Sequence, residues 1–148
     1  VVALCAQHKN LHAMKESSGD IRRVTSLRQL LGDAVAVFVG MDDLIVEGVA
    51  AGAEGWIAGL VNALPAESVR LFELAQRGPS KELDRLYEWF LPLLRLDTVP
   101  KFVQLIKLVE AEVGSGSARV RPPRLELVSA ERDQALALIR RALEQRAA

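Results

Sequence analysis

Lys15 is the side chain with the most chemistry to offer. It closes a short apolar run, Leu11 to Lys15, and is followed by the turn-forming residues Ser17, Ser18, Gly19 and Asp20. A lysine amine taken out of water favours its neutral form, and a neutral amine attacks a ketone to give an iminium, an electron sink. A solvated lysine at a strand end is the ordinary alternative, and residue type alone leaves that choice open. Other constellations carry less. Cys5, His8 and His12 span a helix-to-strand junction, and one thiol with two imidazoles is a poor match to a closed zinc site, so no metal is expected there. Arg119, Arg121 and Arg124, with Pro122 and Pro123, form a basic stretch without interleaved aromatic residues, which is expected to be a surface loop rather than a nucleic-acid contact. No glycine-rich phosphate loop and no Ser/His/Asp pattern is present.

Positioning Lys15 requires elements around it, and short apolar runs alternate with helical segments over the first half. Leu11–Lys15 reads as a strand, and Ser17–Asp20 supplies an N-cap for a helix that stops at Gly32. Val35–Val39 is a continuous, β-branched apolar run, the mark of a strand covered on both faces. Asp42 and Asp43 are placed to open a helix ending near Gly52, and Gly55–Leu60 makes a third strand. Strands separated by single helices are right-handed parallel β/α units. The second half is helical: Pro65 to Arg77, a helix capped by Ser80 and kinked or ended by Pro92, one carrying Phe102, Ile106 and Val109 that stops at Gly114, and a last one capped by Ser129. Three parallel strands leave an open apolar edge, which a closed barrel of roughly 250 residues would remove. The sequence is therefore expected to hold about half of a (β/α)8 barrel.

Bulk properties agree with a globular domain. Of 148 residues, half are hydrophobic and 26% are charged, and nineteen basic residues balance nineteen acidic ones. A neutral chain has no general attraction to nucleic acid or anionic membrane, so an anionic substrate must be held by a local site. A single cysteine, Cys5, makes no internal disulfide and fits a reducing, cytoplasmic setting. No apolar run approaches the roughly 20 residues needed to span a bilayer, no signal peptide is read, and the sequence opens as if inside an element.

The stretch from Asn10 to Asp20, with Lys15-Glu-Ser-Ser-Gly-Asp20 at its centre, resembles the Schiff-base segment of the dihydrodipicolinate synthase / N-acetylneuraminate lyase family. Val39-Gly-Met-Asp-Asp43 and Gly52-Ala-Glu-Gly-Trp-Ile-Ala-Gly-Leu60, running on to Pro65, resemble the family's seventh and eighth strands in the right order. The resemblance implies strands six to eight of a (β/α)8 barrel over residues 1–64. The last barrel helix and a C-terminal helical region then occupy 65–148. It implies a lysine-dependent lyase acting on pyruvate, another 2-oxo acid or a derived cyclic imine, with Lys15 as nucleophile at the C-terminal end of a strand, where barrel active sites lie. Gly40 is implied near the bound 2-oxo acid, and Ile57 as the residue whose main chain faces the lysine while its side chain packs. The lysine is itself the electron sink, so no cofactor is expected. Strand alternation turns Ala13 and Ser17 to the same side as Lys15 and sends Glu16 to the helices, in a structural role.

Two departures bear on the subgroup. Dihydrodipicolinate synthases read Ser-Gly-Asp-Asp at the seventh strand, whereas Met41 stands between Gly40 and Asp42 here. Gly-x-Asp-Asp is closer to members acting on hydroxylated 2-oxo acids, in which Asp42 and Asp43 would hydrogen-bond a substrate hydroxyl; helix capping is the alternative. The segment Leu96–Leu108 lacks the Asn-Pro-Ile-Pro pattern and, with Arg121-Pro-Pro-Arg124, is similar to the 1-pyrroline-4-hydroxy-2-carboxylate deaminase subgroup. A 4-hydroxy-tetrahydrodipicolinate synthase proper is the alternative within the enzyme reading. The family's catalytic tyrosine and its carboxylate-binding hydroxyl pair belong to earlier strands, and Tyr87, beside Trp89 and Phe90, is expected only to pack. The expected partners are thus the N-terminal half of the barrel and further copies in a homo-oligomer, commonly a tetramer. The reading from another class is a non-catalytic regulatory or interaction protein on a half barrel.

Overall fold

The structure, a computed structural model, describes residues 1–146. It divides into two compact units, Val1–Ala58 and the residues from Gly59 onward. Among the described residues no helix is long and apolar enough to cross a membrane.

In the first unit a short helix α1 (Val2–Gln7) precedes strand β1 (Ala13–Glu16), helix α2 (Arg22–Leu31), strand β2 (Ala36–Val39), helix α3 (Ile45–Ala50) and strand β3 (Gly55–Trp56). The strands form one parallel sheet in the order β1-β2-β3, each joined to the next through a helix. Its register aligns Lys15 with Phe38 and Gly55 in one row, and Glu16 with Val39 and Trp56 in the next. Side chains in one row share a face, and successive rows alternate. Val37, Val39 and Glu16 stand on the face covered by helices and are buried, while Ala13, Lys15 and Ile57 stand on the other and are exposed. α3 comes close to β2 because Gly48 has no side chain: a Cβ there would lie 2.2 Å from Val39 Cγ2.

Local chemistry explains the boundaries. Asp20 accepts a hydrogen bond from the Arg22 N–H (3.1 Å), although the N-cap position itself falls on Ile21. α2 ends at Gly32, whose φ of 56° an L side chain rarely adopts. Asp42 and Asp43 lie in a 3₁₀ turn, Asp42–Leu44, that leads into α3. The third strand is shorter than the expected Gly55–Leu60. One further ladder bond forms, from the Ile57 N–H to the Val39 carbonyl (3.0 Å), and the chain then enters a 3₁₀ turn at Leu60–Asn62. At the sheet edge only one neighbour holds the strand, so pairing stops where β2 stops.

The second unit holds α4 (Pro65–Arg77), α5 (Lys81–Leu94), α6 (Phe102–Glu112) and α7 (Ser129–Glu144). α5 packs on both α4 and α7, and α6 packs on α7. Leu71, Phe90, Leu93, Leu94, Val109 and Ile139 form the centre of its core. Pro65 opens α4 where its missing N–H costs nothing, and the Ser80 hydroxyl accepts from the Leu83 N–H (3.1 Å) to cap α5. α5 runs on through Pro92 to Leu94. Ser129 does not cap α7: it is the first helical residue, and an extended Val128 takes the cap position without a side-chain bond. Tyr87 is half-buried on α5, and the Trp89 indole N–H donates to the Ala142 carbonyl (2.8 Å), tying α5 to α7.

Candidate active site

Lys15 and Gly40 meet at the C-terminal ends of β1 and β2. The Gly40 N–H donates to the Glu16 carbonyl (2.8 Å), which continues the ladder one residue past β2. Gly40 is buried because the side chains of Lys15 and Ser17 lie across it. A Cβ at position 40 would fall 1.9 Å from Ser17 Oγ, 2.5 Å from Lys15 Cε and 2.8 Å from Lys15 Cγ. An amine, a hydroxyl and a bare backbone thus share one spot at the strand ends. Such a spot can present the amine to a small carbonyl compound, because the glycine leaves room for the lysine chain to cross the strand end.

The face that carries this group is open. Lys15 and Ser17 are exposed, and Ile57 is 46% exposed rather than packed in a core. Ile57 stands just past the last paired residue of an edge strand, and no element of Val1–Ala58 covers that side. The desolvation expected around the lysine is therefore not supplied by these residues. Phe38 is a residue that the motif comparison passes over. It stands in register between Lys15 and Gly55, and its ring occupies the space over Gly55, where a Cβ would be 2.8 Å from Cδ1 and Cε1. Pairing Leu11–Lys15 with Val35–Val39 in sequence would have marked it as the aromatic neighbour of the amine.

Behind the open face, polar groups pin the chain. Glu16 is 8% exposed, and its Oε1 accepts from the Ser18 N–H and from Arg23 Nε, each at 3.1 Å. Further along the turn, Arg22 makes two hydrogen bonds of 2.7 Å to the Asp20 carboxylate, and these hold that carboxyl below the usual carboxylate range. Of the two acids after Gly40, Asp42 has no exposed surface and Asp43 is half-buried. A third cluster fixes the approach to β3: Arg28 donates to the Gly32 carbonyl (2.9 Å) and pairs with Asp33 (2.9 Å) and Glu54 (2.5 Å).

Residues 1–142 match the Dihydrodipicolinate synthetase family. The chain is 30% identical over 143 residues to the 4-hydroxy-tetrahydrodipicolinate synthase of Geotalea uraniireducens, covering 94% of this chain and 48% of that protein. The enzyme of the same name from Exiguobacterium sibiricum is 34% identical over 128 residues, 83% of this chain and 41% of that one. The chain thus spans about half the length of the curated relatives it matches. Among solved structures, dihydrodipicolinate synthase from Aquifex aeolicus superposes with a TM-score of 0.85 at 21% identity, over 95% of this chain and 48% of its own. YagE, a prophage protein of E. coli K12 from the same family, solved in complex with pyruvate, superposes at 0.82 and 21% identity, over 95% and 49%. The fold is accordingly half of a (β/α)8 barrel followed by a helical extension.

Proposed function

The chain belongs to the dihydrodipicolinate synthetase family, and from that premise we propose that it carries the Schiff-base half of a (β/α)8 lyase acting on a 2-oxo acid. The remaining strands come from the N-terminal half of the barrel, on the same or another polypeptide, and cover the open face that bears Lys15. What supports the reading is one observation: Lys15 and Ser17 converge over Gly40 at the C-terminal ends of parallel strands, the end at which barrel enzymes build their sites. The pyruvate held by YagE is consistent with a 2-oxo acid as ligand.

In the proposed chemistry, the Lys15 Nζ lone pair adds to the ketone carbon, a proton passes from nitrogen to oxygen, and the carbinolamine takes up a proton from solvent and loses water to leave an iminium. Loss of a proton from the neighbouring carbon sends its electron pair into the iminium, giving an enamine. The enamine then adds to an aldehyde, or expels a hydroxyl or amino group from the next carbon. Gly40 lets the Lys15 and Ser17 side chains cross the strand end beside the 2-oxo acid, and the main chain at Ile57 closes the third side. Asp43, which keeps some exposed surface, is the acid suited to accept from a substrate hydroxyl, whereas the buried Asp42 serves the turn into α3. The names of the relatives favour the 4-hydroxy-tetrahydrodipicolinate synthase reaction, and the Gly40-Met-Asp-Asp43 segment favours a hydroxylated substrate.

The test is turnover of candidate 2-oxo acids by the completed barrel with Lys15 replaced. Lys15→Arg keeps a long basic side chain and cannot form the imine, so activity is expected to fall by on the order of 10³-fold or more. A Lys15→Arg protein that works at the wild-type rate contradicts the proposal, and a completed wild-type barrel that turns over none of these acids leaves the non-catalytic reading.

A further inference from the structure

We infer that Glu16 is a positioning residue for Lys15, acting through the turn that joins β1 to α2; this rests on the imine reading above. Glu16 lies between the two side chains that cross Gly40, yet its own side chain points to the opposite face of the sheet. It holds three elements at once. Its carbonyl accepts from the Gly40 N–H at 2.8 Å, which sets the height of the glycine beneath the amine. Its Oε1 accepts from the Ser18 N–H, which closes the turn just after Ser17, and from Arg23 Nε in the first turn of α2. The carboxylate is nearly buried while Arg23 is more than half exposed, so the fixed member of the pair is Glu16 and the guanidinium comes to it.

The turn needs this pin. Gly19, with a φ of 79°, is a residue of high backbone freedom, and Asp20 is fixed from the other side by Arg22. Without the Glu16 carboxylate, the Ser18 N–H loses its acceptor and the bond from the Asp20 N–H to the Ser18 hydroxyl (3.3 Å) holds the turn without a link to Arg23, so the Ser17 hydroxyl is free to leave the space over Gly40. Lys15 then loses the neighbour that directs its chain across the glycine. Glu16 touches no substrate, because its side chain lies on the helix-covered face.

The test follows the rate at which pyruvate and borohydride label Lys15 in the completed barrel, together with the melting temperature of each variant. Glu16→Ala is expected to slow labelling about a hundredfold, the scale of a displacement of roughly 1 Å at a reacting group. Glu16→Gln keeps an acceptor oxygen at the same reach and is expected to restore the rate to within about fivefold of wild type. Leu27→Ala, which removes core packing from the same helix without touching the turn, is expected to lower the melting temperature and leave labelling unchanged. Labelling of Glu16→Ala at the wild-type rate overturns the inference. So does a Gln variant as slow as Ala, since an acceptor at that reach would then not be what positions the turn, or a Leu27→Ala protein slowed to the same degree, which would tie the loss to general stability. A wild-type protein that takes up no label at Lys15 defeats the imine reading itself, and the inference with it.

Discussion

Replacing Gly40 by alanine separates the chemistry of the site from the stability of the fold. The new methyl would sit 2.5 Å from Lys15 Cε and 1.9 Å from Ser17 Oγ. Carbon atoms in good contact lie about 3.5–4.0 Å apart, so the lysine chain must retreat by about 1 Å and the serine must rotate away. Both groups stand on an exposed face and have room to move, so the strain is relieved by side chains rather than backbone. Gly40 is not among the glycines with positive φ, and alanine is therefore compatible with its backbone. A compatible Gly→Ala change gains about 0.4–1 kcal/mol through the unfolded chain, against a repacking cost of about 1–3 kcal/mol. Unfolding free energy is expected to fall by no more than about 2.6 kcal/mol. Imine formation is a different matter: a 1 Å shift of a reacting group costs on the order of 10²-fold, or about 2.7 kcal/mol of barrier. Stopped-flow labelling with pyruvate and borohydride, beside urea unfolding followed by circular dichroism, reads both quantities. A Gly40→Ala protein that labels at the wild-type rate refutes the reasoning, because the crossing of Lys15 and Ser17 over the glycine would then be irrelevant.

Two further outcomes follow from the same unit. Gly48→Ala places a methyl 2.2 Å from Val39 Cγ2 between α3 and β2, where a stiff β-branched side chain and a buried strand leave little room. It is expected to lower the unfolding free energy by about 1–3 kcal/mol despite the better helix propensity of alanine, measured by urea unfolding; an unchanged midpoint contradicts the close packing. Asp20→Asn tests the turn by pH. Arg22 holds the folded Asp20 carboxyl below its unfolded value, so the stabilisation is fully present above the usual carboxylate range and is lost as pH falls through the lowered value. The melting-temperature gap between wild type and Asp20→Asn should be constant near neutral pH and close in strong acid; a gap that widens on acidification has the wrong sign.

Much of this was legible in the sequence, and what was not has physical causes. α4 and the start of α5 followed from Pro65, Gly78 and Ser80, residues whose backbone constraints act locally. The Lys15 motif and the alternation that sends Glu16 to the helices were likewise local. The length of β3 was not, because a strand ends where its partner ends, and Gly55–Leu60 carries no mark of where Val35–Val39 stops. Ser129 looked like a cap by type, yet Val128 holds that place. The partner of Glu16 is seven residues away, on the next element, and only the sheet register brings Phe38 beside Lys15. The openness of the lysine face was not legible either, because it reflects the absence of any covering element in Val1–Ala58 rather than a local residue pattern.

The central claim is that one particular amine bonds to the ketone. Reduction of the completed barrel with borohydride in the presence of pyruvate, followed by proteolysis and mass spectrometry of the peptides, locates that bond. The account predicts a single modified peptide carrying the reduced adduct on Lys15, absent when pyruvate is omitted. Modification spread over Lys9, Lys81, Lys101 and Lys107 as much as Lys15, or no modification at all, would contradict it.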